Sequence, residues 1–124
     1  MLARTTLDPA LRFIDFAAAS SLQHLRRVLA PVAHRLGLDD VDLSAVTSPQ
    51  RQLTQAAARF VYDQHDPNGV PRFAGIRYLS RLAAEWECWA IFDDIVVREL
   101  ERRPILPETE GLAAAAAMYE LRVF

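Results

Sequence analysis

A serine hydroxyl lies close to a phenol and a guanidinium in the most strongly patterned stretch of the chain. Gly75-Ile76-Arg77-Tyr78-Leu79-Ser80-Arg81 reads as a short strand, rich in aromatic and β-branched residues, that runs into a Ser-Arg turn. After Leu82-Ala83-Ala84-Glu85 comes a second strand, Trp86 to Phe92, closed by Asp93-Asp94. Ser80 is thereby expected at the rim of a sheet, where rigid scaffolds carry binding and catalytic groups. From spacing alone, a serine at a strand end caps a turn. Tyr78 and Arg81 are the groups that could touch a ligand beside it. Tyr78 shares the face of Ser80, so it points either to that ligand or to the core.

Other chemistry-bearing residues read more plainly. Glu87 is the only charge in the second strand, so that strand is expected to be central and buried on much of both faces, with Glu87 paired to Arg77 or Arg81. Glu85, in the connecting loop, is expected to be solvated. Cys88 alternates with Trp86 and Ala90 and reads as a small core residue with no base to activate it. Trp86 and Trp89 read as packing. His24, His34 and His65 are scattered and read as surface residues. Asp93-Asp94 could hold a cation, but adjacent strand residues point to opposite sides, so the pair reads as a strand end. Arg26, Arg27 and Arg35 make a small basic face on a helix. A net charge of −2 argues against a nucleic-acid groove for it.

The elements that position these groups alternate. Leu11 to Phe16 reads as a strand, with Pro9 outside it and residues 1–10 irregular. Ser20 or Ser21 can cap a helix to Leu36, whose Leu22, Leu25, Leu29, Val32, Ala33 and Leu36 share a face. Pro31 should kink or split that helix, and Gly37 should end it. Residues 39–46 form a polar connection with room for one turn. Thr47-Ser48-Pro49 is a start signal for a helix through Gln64, with Leu53, Ala57, Phe60 and Val61 on its buried stripe. Residues 65–71 (His-Asp-Pro-Asn-Gly-Val-Pro) make a turn-rich loop. Beyond the two central strands, Ile95 to Leu100 reads as a further strand closed by Pro104. A last helix is expected to open at Pro107-Glu108-Thr109-Glu110, its acids near the positive dipole end, and to be propagated by Ala113 to Ala117. Leu121 to Phe124 reads as a terminal strand.

This order specifies an α/β or α+β domain, a mixed sheet flanked by helices. A length of 124 residues fits a single domain, 1–124, and a composition 52% hydrophobic and 24% charged argues against disorder. The single cysteine excludes an internal disulfide, and no Cys/His cluster has metal spacing, so no metal is expected. The N-terminus lacks the apolar run of a signal peptide and no apolar run is long enough to span a bilayer, so a cytoplasmic location is expected. All 14 basic residues are arginine, which reads as the codon bias of a GC-rich genome.

The pattern Gly-Ile-Arg-Tyr-x-Ser-Arg, a short gap and an aromatic strand ending in Phe-Asp resembles the C-terminal portion of the RES domain. Thr54-Gln55-Ala56-Ala57-Ala58 resembles the Thr-Gln-x-x-Ala helix that precedes that strand in the family, and the final helix followed by Leu-x-Val agrees as well. RES domains are NAD-consuming bacterial toxins of toxin–antitoxin systems, with an ADP-ribosyltransferase-like fold. The resemblance implies that NAD is the substrate, that Ser80 is the family's catalytic serine, and that Tyr78 and Arg81 flank the bound dinucleotide. It also implies a cognate antitoxin as partner. The family's arginine and glutamate precede the helix. Here only Arg4 and Arg12 come before the first helix, and no glutamate precedes Glu85. The resemblance thus covers residues 10–124 but only the later part of the family's domain. The expectation is a domain incomplete on its N-terminal side, a fragment or a chain completed by another, inactive alone and prone to self-association. A non-catalytic interaction module that dimerises or pairs with another chain is the alternative.

Overall fold

The structure, a computed structural model, describes residues 1–46 and 49–122. In chain order the elements are β1 (Leu2–Thr6), β2 (Phe13–Asp15), α1 (Ala19–Arg35), α2 (Leu43–Val46), α3 (Arg51–Tyr62), β3 (Gly75–Leu79), β4 (Glu87–Ile91), β5 (Arg98–Arg103) and α4 (Leu112–Met118). They fall into two compact units, Pro9–Ile95 and Met1–Asp8 with Val96–Phe124.

The unit Pro9–Ile95 is built on a three-stranded mixed sheet in the order β2-β3-β4. β2 runs parallel to β3, pairing Phe13 with Gly75 and Asp15 with Arg77, and β4 runs antiparallel to β3, pairing Tyr78 with Cys88. A parallel pair needs a long crossover, and here α1, α2 and α3 supply it. Their apolar stripes make the core: Leu25, Leu29 and Ala33 of α1 meet Leu53, Ala57 and Val61 of α3, with Val41, Phe16 and Ile76. Leu25, Leu53, Val41 and Val61 are the largest fully buried side chains. The 3.6-residue spacing read in the sequence is the spacing of this core.

The end of α1 shows how local sequence sets local geometry. Gly37 takes φ 72°, its N–H donates to the His34 carbonyl, and the Leu38 N–H donates to Ala33. That is a Schellman stop, which needs a residue at ease in the left-handed region. In the loop after α3, the Asp66 carboxylate accepts the N–H groups of Asn68 and Val70 and closes the expected turn.

Several expectations are corrected. Residues 2–6 are a strand, not irregular, because they pair with β5 across a register shift at Arg4/Thr5. The cap of α1 is Ala18, with no side-chain bond, rather than Ser20 or Ser21, which lie within the first turn. Asp15 organises that entry instead, accepting the Ala17 N–H at 2.8 Å. Pro31 does not split α1: it is exposed, so the carbonyl it leaves unpaired on the outer face can meet solvent. The second long helix starts at Arg51 and stops at Tyr62, short of Gln64, whose side chain bonds back to the Phe60 carbonyl. The Thr47 and Ser48 capping signal lies outside the described residues.

β4 is an edge strand, not a central one, and Glu87, Trp89, Ala90 and Ile91 are exposed. A lone charge among apolar residues did not signal burial on both sides; the charge marks the outer face.

In the other unit, β1 and β5 form an antiparallel ribbon. The strand expected at 95–100 starts three residues later and takes in Glu101, Arg102 and Arg103, because the ladder with β1 sets its limits. α4 begins after Gly111, so Glu108 and Glu110 precede it rather than filling its first turn. Leu121 and Arg122 are not in a strand; Val123 and Phe124 lie outside the described residues. No residue of α4 is buried. Among the described residues no helix is long and apolar enough to cross a membrane.

Candidate functional site

The strand end that carries Ser80 is fixed by its backbone. The Ser80 N–H donates to the Trp86 carbonyl at 2.8 Å and the Trp86 N–H to Ala83 at 2.9 Å, closing the loop between β3 and β4. The Ser80 hydroxyl accepts the Leu82 N–H at 3.1 Å. Accepting that bond leaves the hydroxyl proton available to a second partner. Ser80 therefore caps its turn, as spacing alone implied, and it also borders a cavity.

That cavity is a cleft of about 410 Å³ between the end of the sheet and the helical layer. Its size falls in the range of small-molecule sites. Phe16, Ile76 and Ala90 give it apolar walls, and Ser80, Tyr78 and Arg81 all line it. Tyr78 is half-buried, packs against the core and also lines the cleft. Arg81 is exposed and forms no ion pair among the described residues.

Thr54 and Ala58 are among the cleft residues not singled out as site residues in the sequence. They sit one helical turn apart on α3 and line the cleft beside its buried stripe. The Thr54 hydroxyl bonds to the Arg51 carbonyl at 3.1 Å, so its oxygen lone pairs remain to accept from a ligand. The i, i+4 spacing of a hydroxyl and a methyl was the available signal. Cys88 is half-buried and lines the cleft rather than joining the buried core.

Among the described residues no aspartate or glutamate lines this cleft. Glu87 lies on the opposite face of the sheet, one residue out of phase with Cys88. There Arg77 Nη2 donates to it at 2.7 Å and Trp89 Nε1 at 2.8 Å. The Arg77 guanidinium, then the Trp89 N–H, hold its carboxyl below the ordinary 4.5. Arg77 is bonded in addition to Asp15 at 2.8 Å, and these two carboxylates raise its own affinity for its proton, Glu87 more than Asp15. The pairing expected for Glu87 is present with Arg77, although Glu87 itself is exposed. Glu85, Asp93, Asp94, His24, His34 and His65 are all exposed. Among the described residues no three Asp, Glu, His or Cys side chains come together as a metal site.

Comparison of the chain with family models, with curated proteins and with solved structures gave no match to any of them.

Proposed function

We propose that the cleft beside Ser80 is the dinucleotide site of a RES-like, NAD-directed toxin domain of ADP-ribosyltransferase-like fold. The observation that carries this reading is the meeting of Ser80, Tyr78 and Arg81 at one apolar cleft of about 410 Å³. Cleaving the nicotinamide–ribose bond develops positive charge on the ribose. A site for it must hold the diphosphate, orient the ring and stabilise that charge. In this reading the Ser80 hydroxyl donates to the nicotinamide or its ribose, Tyr78 packs on a ring, and the Arg81 cation faces the diphosphate. With no carboxylate among the described residues of the cleft, the chain in this reading supplies binding and orientation but not charge stabilisation, so it binds NAD and turns it over slowly or not at all. A completing chain or second copy would bring the carboxylate, and a cognate antitoxin would close the cleft, in a cytoplasmic setting.

Calorimetric titration with NAD, beside chromatography of released nicotinamide with and without phosphate, tests this. The expected result is saturable binding that weakens about fivefold in Ser80→Ala, the effect of one lost hydrogen bond. A folded wild-type chain that binds no NAD overturns the reading.

A second reading, an interaction module without catalysis, is favoured by β4, which among the described residues pairs on one side only, with β3, and whose Trp89 is 49% and Ile91 36% exposed. Unpaired strand edges of this kind recruit other chains. Light scattering that finds only monomer counts against it.

A further inference from the structure

On the face of the sheet opposite the cleft, a chain of hydrogen bonds crosses all three strands. The Ala17 N–H donates to Asp15 Oδ1 at 2.8 Å, and Arg77 Nη1 donates to Asp15 Oδ2 at 2.8 Å. Arg77 Nη2 donates to Glu87 Oε2 at 2.7 Å, and Trp89 Nε1 donates to Glu87 Oε1 at 2.8 Å. The Trp89 ring then meets Phe13 edge-on at 5.0 Å, returning the contact to β2. Each carboxylate uses one oxygen on the guanidinium and the other on a local N–H, so neither can turn without losing two bonds.

The strands are tied where the cleft begins. Phe16, a cleft wall, follows Asp15 and donates its N–H to the Arg77 carbonyl at 2.9 Å. Cys88, another wall, follows Glu87, and Ser80 is held by the carbonyl of Trp86, the residue before Glu87. We infer that Arg77 is a positioning residue for the cleft: from the far face, its two-carboxylate fork sets the spacing of the three strand ends that present Phe16, Ser80 and Cys88. Single surface ion pairs add little to stability. A planar fork engaged by carboxylates from two different strands instead fixes geometry, and a lysine cannot reproduce it. The functional meaning of this role rests on the reading of the cleft as the ligand site, but the geometry can be tested without any nucleotide.

Cys88 is the chain's single cysteine and lines the cleft, so its rate of alkylation by iodoacetamide reports how open the strand ends are. Measured well below the thermal midpoints, Arg77→Met is expected to speed alkylation at least about threefold, through local rather than global opening. Arg77→Lys is expected not to restore the wild-type rate. Leu29→Ala, a change at a buried core residue that does not line the cleft, should lower the midpoint and leave the rate as it is. Glu87→Gln, an exposed change that leaves the Asp15 bond, should give a smaller acceleration. A folded Arg77→Met protein that reacts at the wild-type rate overturns the inference; if that variant does not fold, a wild-type rate in Glu87→Gln does so. A wild-type chain that binds no NAD removes the nucleotide reading while the thiol rates still decide the role of Arg77.

Discussion

Alanine at position 75 tests whether the sheet that presents the cleft is assembled as described. Gly75 starts β3, opposite Ile91 of β4 and Phe13 of β2. A Cβ there would overlap the carbonyl oxygen of Ala90 and stand 2.9 Å from Phe13 Cε1. The first obstacle is backbone of a paired strand and cannot swing aside as a side chain could, so β3 and β4 must separate. Overpacking of a tight site costs about 1–3 kcal/mol, and a clash with backbone belongs at the upper end or beyond. At about 1 kcal/mol per molar urea for a small protein, about 3 kcal/mol lowers the unfolding midpoint by about 3 M. Against a total of about 5–15 kcal/mol, that is a large share of the stability. Urea titration followed by tryptophan fluorescence reads the effect directly, since Trp89 lies on β4. A Gly75→Ala midpoint within about 0.5 M of wild type would show that β3 and β4 are not packed in this register.

The other expectations concern local geometry and charge. Gly37→Ala places a methyl group where nothing lies within 4 Å, so only its φ of 72° resists it; the expected loss is about 1 kcal/mol, well below that at Gly75, by the same urea titration. Glu87 has its carboxyl held below the ordinary 4.5 in the folded chain, first by Arg77. A depressed folded value means that its stabilisation is complete above the unfolded value and is lost as pH falls through the folded one. The thermal midpoints of wild type and Glu87→Gln should therefore differ at neutral pH and draw together as pH falls below the ordinary 4.5; a gap that stays constant on acidification contradicts the pairing.

What could be read from the sequence followed from periodicity and from turn chemistry. The buried stripes of α1 and α3 repeat at helical spacing, and Gly37 and Asp66-Pro67-Asn68-Gly69 carry their own stop and turn geometry, so each was legible locally. The Gly75–Leu79 strand and its return were legible for the same reason. Strand neighbours were not. Whether Trp86 to Phe92 lies inside a sheet or at its edge depends on partners far away in the chain, and the lone Glu87 suited either place. Residues 2–6 have no pattern that announces pairing with 98–103, and the ladder between them is a contact across almost the whole length. At the site, a serine at a strand end was readable, but the cleft also needs Thr54, Ala58 and Phe16, which only the crossover of helices brings beside it. That no carboxylate lines it among the described residues was legible in part: no glutamate precedes Glu85, while the orientation of Glu87 required the sheet.

The hollow beside Ser80 is where a dinucleotide must bind if this chain acts on NAD. Amide resonances followed during a titration of the folded chain with NAD locate the contact residue by residue. Saturable shifts centred on Tyr78 to Leu82, with Phe16, Thr54 and Cys88, and strongly reduced in Ser80→Ala, are the expected result. Shifts confined to the far side of the sheet, or no shifts up to millimolar NAD (about the weakest binding worth calling specific), would contradict it.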